Sequence, residues 1–317
     1  MARLLALTLV ALAVSRPAAA QNAAGGLAAP ESAAAAPRVA KAAVRGGPSL
    51  DSARAISAPG ALLPAHRIVA FYGNPFSKRM GVLGALPPGE MLRKLEAIAA
   101  EWQAADSTTT VQPALHLIAT VAQHSPGRDG MYRLRMSDAT IGMVASWAET
   151  RGWLLFLDVQ VGRSSVRREL ERFRPWLMQP WVHLALDPEF AMEADGVPGR
   201  KIGSLDAADV NYAVGFLQEI VRAGNLPPKM LVVHRFTNRM LTNAAQVTLV
   251  PEVQVIIDMD GFGAPSLKRA TWRQVIVPEP VQYTGFKLFF NPRNDAPMMK
   301  PADVLKLEPV PHYIQYQ

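Results

Sequence analysis

Three apolar runs of the chain end in polar residues spaced two apart. They are Asp158 and Gln160 in "WLLFLDVQVG", Asp187 and Glu189 in "HLALDPEF", and Asp258 and Asp260 in "VQVIIDMDGFG". Side chains alternate along a strand, so residues two apart point the same way if the strand runs on regularly. Paired carboxylates at one level suit acid/base chemistry on a glycosidic bond. One carboxyl, kept protonated, donates to the leaving oxygen, and another stays charged as base, nucleophile or oxocarbenium stabiliser. Like-charge repulsion and partial burial are what hold such a donor protonated near neutral pH. Glu189 has the longer reach and is the expected acid. Asp187 would tune it, and Asp158, Asp258 or Asp260 would supply the second carboxylate. A structural alternative competes: Pro188 bends the chain between Asp187 and Glu189, and Asp residues often cap the turn that follows a strand.

The elements that must position these residues alternate regularly. Apolar runs at 67–73, 111–123, 153–162, 181–190, 229–236, 253–263, 285–291 and 312–317 read as strands. Stretches of helical period lie between them, at 87–105, 137–152, 164–177, 204–224, 237–247, 266–277 and 301–309. Strands that are apolar throughout fit a parallel sheet covered by helices on its outer face. Seven or eight such units in order predict an α/β fold, a single (β/α)8 TIM-like barrel over 65–317. An open doubly wound sheet is the alternative, but Gly73, Gly81 and Gly84 do not make a G-x-G-x-x-G turn. "GNPFSKRMGVLG" likewise lacks the ending of a P-loop.

In a barrel the active face lies at the C-terminal ends of the strands. Tyr72, Asn74, Gln160, His234, Lys287 and Gln315 fall at or near those ends and are the expected substrate-binding residues. His116 and His183 lie inside apolar runs and read as core histidines. Tyr72, Phe262 and Trp272 are aromatic groups able to stack on a sugar ring or to pack in the core.

The D-P-E of Asp187–Glu189 resembles the D-x-E strand ends of barrel glycosidases, including chitinase-like and muramidase-like families. The further upstream aspartates of the chitinase motif are absent. From "FYGNP" and "MGVLG" through "LDVQ", "LDPEF" and "VVHRF" to "DMDGFG", the chain resembles a family of exported bacterial barrel proteins without an established activity. That resemblance implies the fold and export and assigns no catalytic residue.

Residues 1–20 carry a basic residue, an apolar run from Leu4 to Val14 and small residues at 18–20, the pattern of a cleaved signal peptide. The apolar run is too short to span a bilayer. The expected location is therefore secreted or periplasmic, with no membrane span after cleavage. Residues 21–64, rich in Ala, Pro and Gly, read as a disordered linker. No cysteine is present, which excludes disulfides, thiolate metal sites and a lipidated cysteine. A net charge of +7, without aromatic interleaving or a recognisable motif, gives no case for nucleic-acid binding.

These observations combine into an expected exported glycoside-hydrolase-like enzyme. Its partner would be a polysaccharide or cell-envelope glycan, with no cofactor and no metal. The competing expectations are a metal-dependent phosphoester or acyl hydrolase, with ligands from Asp158, Asp187, Asp258, Asp260 and His234, and a non-catalytic carbohydrate- or envelope-binding barrel. No H-x-H or H-E-x-x-H spacing supports the first, and fold alone does not exclude the second.

Overall fold

Eight apolar runs pair in sequence order into a closed parallel barrel in the computed structural model, which describes residues 49–317. The strands are β1 (His66–Gly73), β2 (Thr110–Ala122), β3 (Leu154–Val159), β4 (Val182–Leu186), β5 (Lys229–His234), β6 (Val253–Met259), β7 (Tyr283–Leu288) and β8 (Tyr313–Tyr316). Closure is made by β1, which pairs in parallel with β8 (Ile68 beside Tyr313) and with β2 (Tyr72 beside His116). The expected signal peptide and most of the expected linker lie outside the described residues. No helix among the described residues is long and apolar enough to cross a membrane.

Helices cover the barrel because each presents an apolar stripe. In Pro88–Ala105, Met91, Leu92, Leu95, Ile98 and Trp102 recur at three- and four-residue spacing and are buried. Burying one Leu side chain fully stabilises by about 1.5–3 kcal/mol, so this stripe fixes the helix on the sheet. Trp102 adds an indole N–H donated to the Tyr316 hydroxyl at 2.9 Å. Asp138–Glu149 starts at a Ser137 cap, as its sequence indicates, and Ala207–Gly224 starts at an Asp206–Asp209 capping box.

Three expectations need correction. Residues 49–64 belong to the fold rather than to a linker. Ser49 caps a short helix, Leu50–Arg54, and Ala53 and Leu63 are buried. Gln254 brackets Leu63, accepting from its N–H at 3.1 Å and donating to its carbonyl at 2.8 Å. Gln282 donates to the carbonyls of Ala53 and Ile56 at 3.1 and 3.0 Å. These contacts seal the end of the barrel where the strands begin. The expected helix at 237–247 is instead two 3-10 turns flanking a short strand, Leu241–Thr242, paired with Leu205–Asp206. Thr242 and Asn243 both donate to Asp206 Oδ2 at 2.6 Å, and Asn243 takes φ 54°, which no helix continues. Strands β3, β4 and β6 also stop sooner than their apolar runs, at Val159, Leu186 and Met259, so Gln160, Asp187 and Asp260 sit just past the sheet.

Candidate active site

The floor of the barrel interior is apolar: Ile68, Ala70, Ala114, Leu154, Phe156, Ala185, Met230, Val232, Ile256, Tyr283 and Tyr313 fill it. One or two residues further along each strand the interior turns polar. Tyr72, His116, Asp158, His234, Asp258, Lys287 and Gln315 are all buried there, with Gln160, Asp187 and Asp260 beyond them and Glu189 half-buried at the mouth. Period-two alternation produces this layering. Phe156, Asp158 and Gln160 share one face, as do Ile256, Asp258 and Asp260.

Asp187 takes the capping role of the structural alternative while its carboxyl stays buried at the barrel mouth. Strand β4 ends at Leu186, and Pro188–Phe190 is a 3-10 turn that Asp187 caps, its Oδ1 accepting from the Glu189 N–H at 3.2 Å. Asp187 Oδ2 accepts from Gln160 Nε2 at 3.0 Å, and the same Gln160 nitrogen donates to the Tyr72 hydroxyl at 3.2 Å. The cap therefore holds its carboxylate in the barrel mouth. Carboxylate oxygens of Asp187, Glu189 and Asp260 lie within 4.8 Å of one another. Burial is the first cause that pushes the Glu189 carboxyl up, to about 7, and the neighbouring Asp260 is the second. Burial likewise holds Asp187 well above the ordinary carboxylate range, with Asp158, Glu189 and Asp260 adding to it.

One layer down, His234 Nδ1 faces Asp258 Oδ2 at 3.2 Å and Asp260 Oδ2 at 3.5 Å. Its Nε2 lies 3.9 Å from Asp158 Oδ2, as does His116 Nε2. Burial raises Asp158 and brings Asp258 to about 7, while it depresses both histidines. Room for Asp258 comes from Gly285, its cross-strand neighbour: a Cβ there would sit 2.6 Å from Asp258 Oδ1. The positive group facing the carboxyls is Lys287, whose Nζ lies 3.9 Å from the Tyr72 ring centroid. Lys268, behind it, donates to the Lys287 carbonyl at 2.6 Å and to Asp295 at 2.7 Å. Asp295 in turn accepts from the N–H groups of Phe289 and Gly263, which ties the ends of β6 and β7 together.

The structure thus brings Asp158, Asp187, Glu189, Asp258, Asp260, Tyr72, Gln160, His234 and Lys287 together at one end of the barrel interior. Asn74 and Gln315 stand apart. Asn74 is occupied by its own turn, accepting from the Phe76 N–H at 3.0 Å and donating to the Ile118 carbonyl and Met136 sulfur. Gln315 is level with Lys287 in register, but its amide is turned to His116 and Tyr313. Trp272 is a core residue, 1% exposed, with its indole N–H on the Glu308 carbonyl.

His183 is a core histidine, its Nδ1 accepting from the Met230 N–H at 3.1 Å. His116 Nε2 has no protein partner, and neither has His183 Nε2. Its register beside Tyr72 and Phe156 is what places it in the polar layer. Two exposed aromatic side chains stand on the loops after β1 and β6, Phe76 at 62% and Phe262 at 55% exposure. No protein-family model matches this chain, and no curated protein matches it, so the likeness to barrel glycosidases rests on the D-P-E stretch and the barrel itself.

Proposed function

We propose that this barrel, whose fold is compatible with a hydrolase-like enzyme, is a retaining glycoside hydrolase acting on a polysaccharide or cell-envelope glycan. The observation that carries the reading is the Asp187, Glu189 and Asp260 group: oxygens within 4.8 Å of one another, with Glu189 raised to about 7. Retaining enzymes place their two carboxyls about 5–5.5 Å apart, and inverting ones about 6.5–9.5 Å. Glu189 donates its proton to the glycosidic oxygen as the C–O bond breaks. Asp260, whose carboxyl burial raises and His234 and Lys287 draw back down, attacks the anomeric carbon in its ionised form and forms a glycosyl ester. Glu189 then takes a proton from water, whose oxygen displaces Asp260. Asp187, anchored by Gln160 and raised by burial, stands beside the acid. Phe76 and Phe262 offer ring faces for sugar stacking. The N-terminal sequence pattern supports a secreted or periplasmic setting, where such polymers occur.

Sugar release from peptidoglycan and a polysaccharide panel tests this reading. Release by the wild type and loss in folded Glu189→Gln is the expected result. Release unchanged in that variant contradicts it. A second reading, a metal-dependent hydrolase, draws support from the buried His116, Asp158 and His234 group.

A further inference from the structure

Beneath the mouth carboxylates, at the barrel centre, four buried polar atoms converge without a well-formed hydrogen bond: His116 Nε2, His234 Nε2 and both oxygens of Asp158, which has the Tyr72 hydroxyl beside it. All three residues are fully buried. A buried polar group without a partner costs about 1–3 kcal/mol, and more when charged. Four of them at one point need an explanation.

We propose that His116 Nε2, Asp158 and His234 Nε2 form a site for one divalent transition-metal ion of the zinc, cobalt(II) or iron(II) class. The inference stands whether or not the substrate is a glycan. Each imidazole nitrogen lies 3.9 Å from Asp158 Oδ2, and the three donor atoms fall within 4.8 Å of one another. A tetrahedral ion with bonds of about 2.0–2.1 Å separates its donors by about 3.3 Å. Closing on an ion therefore asks each His–Asp separation to shorten by about 0.6 Å and the His–His separation by up to about 1.5 Å.

The surrounding groups match what metal-bound histidines require. Such a histidine offers one ring nitrogen to the ion while the other is held by a carboxylate or another acceptor. His234 Nδ1 lies 3.2 Å from Asp258 Oδ2 without a well-formed hydrogen bond, and a small turn of the ring would bring that carboxylate into place as its acceptor. His116 Nδ1 lies 2.5 Å from the Tyr313 hydroxyl. Gln315 Nε2 is 3.1 Å from that nitrogen, and turning the amide over brings its partnerless Oε1 there as an acceptor for the Nδ1 proton. Both imidazoles then present Nε2 lone pairs to Asp158.

Charge points the same way. Asp158, Asp187, Glu189, Asp258 and Asp260 cluster around Lys287. Buried carboxylates must be paired, protonated or bound to a cation, and a dication at Asp158 offsets part of this excess. Two imidazoles and one carboxylate favour a transition metal over magnesium or calcium, which prefer oxygen donors throughout. The mouth carboxylates are the weaker candidate, because both oxygens of Asp187 already accept hydrogen bonds. Three protein ligands leave a coordination position for water or substrate.

The test uses the full chain, stripped with chelator and titrated with Zn²⁺ and Co²⁺. Metal content after gel filtration, competition affinity and histidine NMR signals with Co²⁺ are the readouts. The expected result is one ion per chain and paramagnetic shifts on two imidazoles. Affinity should fall about 10- to 100-fold or more in Asp158→Asn and His234→Gln. It should be unchanged in Asp187→Asn. Retention well below one equivalent, or undiminished binding in folded Asp158→Asn, overturns the site. So does binding lost only in Asp187→Asn. If the ligand variants do not fold, absence of two Co²⁺-shifted imidazoles in the wild type overturns it by itself. Sugar release is scored separately, so failure of the glycan reading leaves this result legible.

Discussion

The protonation of Glu189 near neutral pH is the most quantitative consequence of the barrel's mouth. Its carboxyl rises from 4.5 to about 7, with burial as the larger cause and Asp260 as the second. That difference, 7 minus 4.5, corresponds to about 3 kcal/mol against ionising the group in place, at about 1.36 kcal/mol per pH unit. The perturbation is Glu189→Gln, which keeps the shape and removes the proton. The assay is kcat/KM across pH 4–9, beside a carboxyl-carbon NMR titration. An acid that must be protonated gives a rate falling about tenfold per pH unit above about 7. Glu189→Gln should lose that limb and about 10²–10⁴-fold of the rate, or about 2.7–5.4 kcal/mol of transition-state stabilisation. Asp260→Asn should move the Glu189 titration downward without restoring 4.5, because burial remains. The sign for stability follows. A folded pKa above the unfolded one favours the fold fully below pH 4.5, and that contribution is lost as pH rises through about 7. Glu189→Gln should therefore flatten the stability profile across that window. A Glu189 titration at its ordinary value, or a limb that survives Glu189→Gln, refutes the reasoning.

Other sites give sharp expectations. Gly285→Ala places a methyl 2.6 Å from Asp258 Oδ1, and overpacking of that kind should cost about 1–3 kcal/mol in urea unfolding. Glu169 is fully buried and accepts from Arg133, Arg135 and Ser164. Replacing it with Ala takes the buried partner from Arg133, which keeps Asp129, and from the exposed Arg135, and should cost about 1–3 kcal/mol by the same measurement. Deleting residues 1–64 removes Leu63 and the partners of Gln254 and Gln282, and should lower the melting temperature. Phe262→Ala should weaken oligosaccharide affinity by several-fold in calorimetry, the scale of a lost stacking contact, while leaving the melting temperature in place.

Much of the frame is legible in the sequence because burial on both faces writes itself as unbroken apolar runs. The runs ending in Asp158, Asp187 and Asp258 announce parallel strands, and their i, i+2 partners announce which side chains share a face. His116 was hidden for the same reason. In "ALHLIATV" it looks like one more core position, and only the closure of β1 on β2 sets it level with Tyr72. Asn74 was misplaced because its position at a strand end says nothing of the turn that consumes its amide. The barrel floor at 49–64 escaped composition altogether. Its ordering depends on Gln254 and Gln282, about two hundred residues away in sequence. The missing helix at 237–247 has the same origin, a long-range demand from Asp206 that overrides local propensity.

The most direct measurement on the central claim is the stereochemistry of the first product. Proton NMR during turnover of whichever glycan the wild type cleaves reports the anomer before mutarotation. Carboxylates as close as Glu189 and Asp260 predict that the released sugar keeps its anomeric configuration, with neither Glu189→Gln nor Asp260→Asn turning over at a comparable rate. An inverted product, or no cleavage by the wild type of any glycan it binds, would contradict the account.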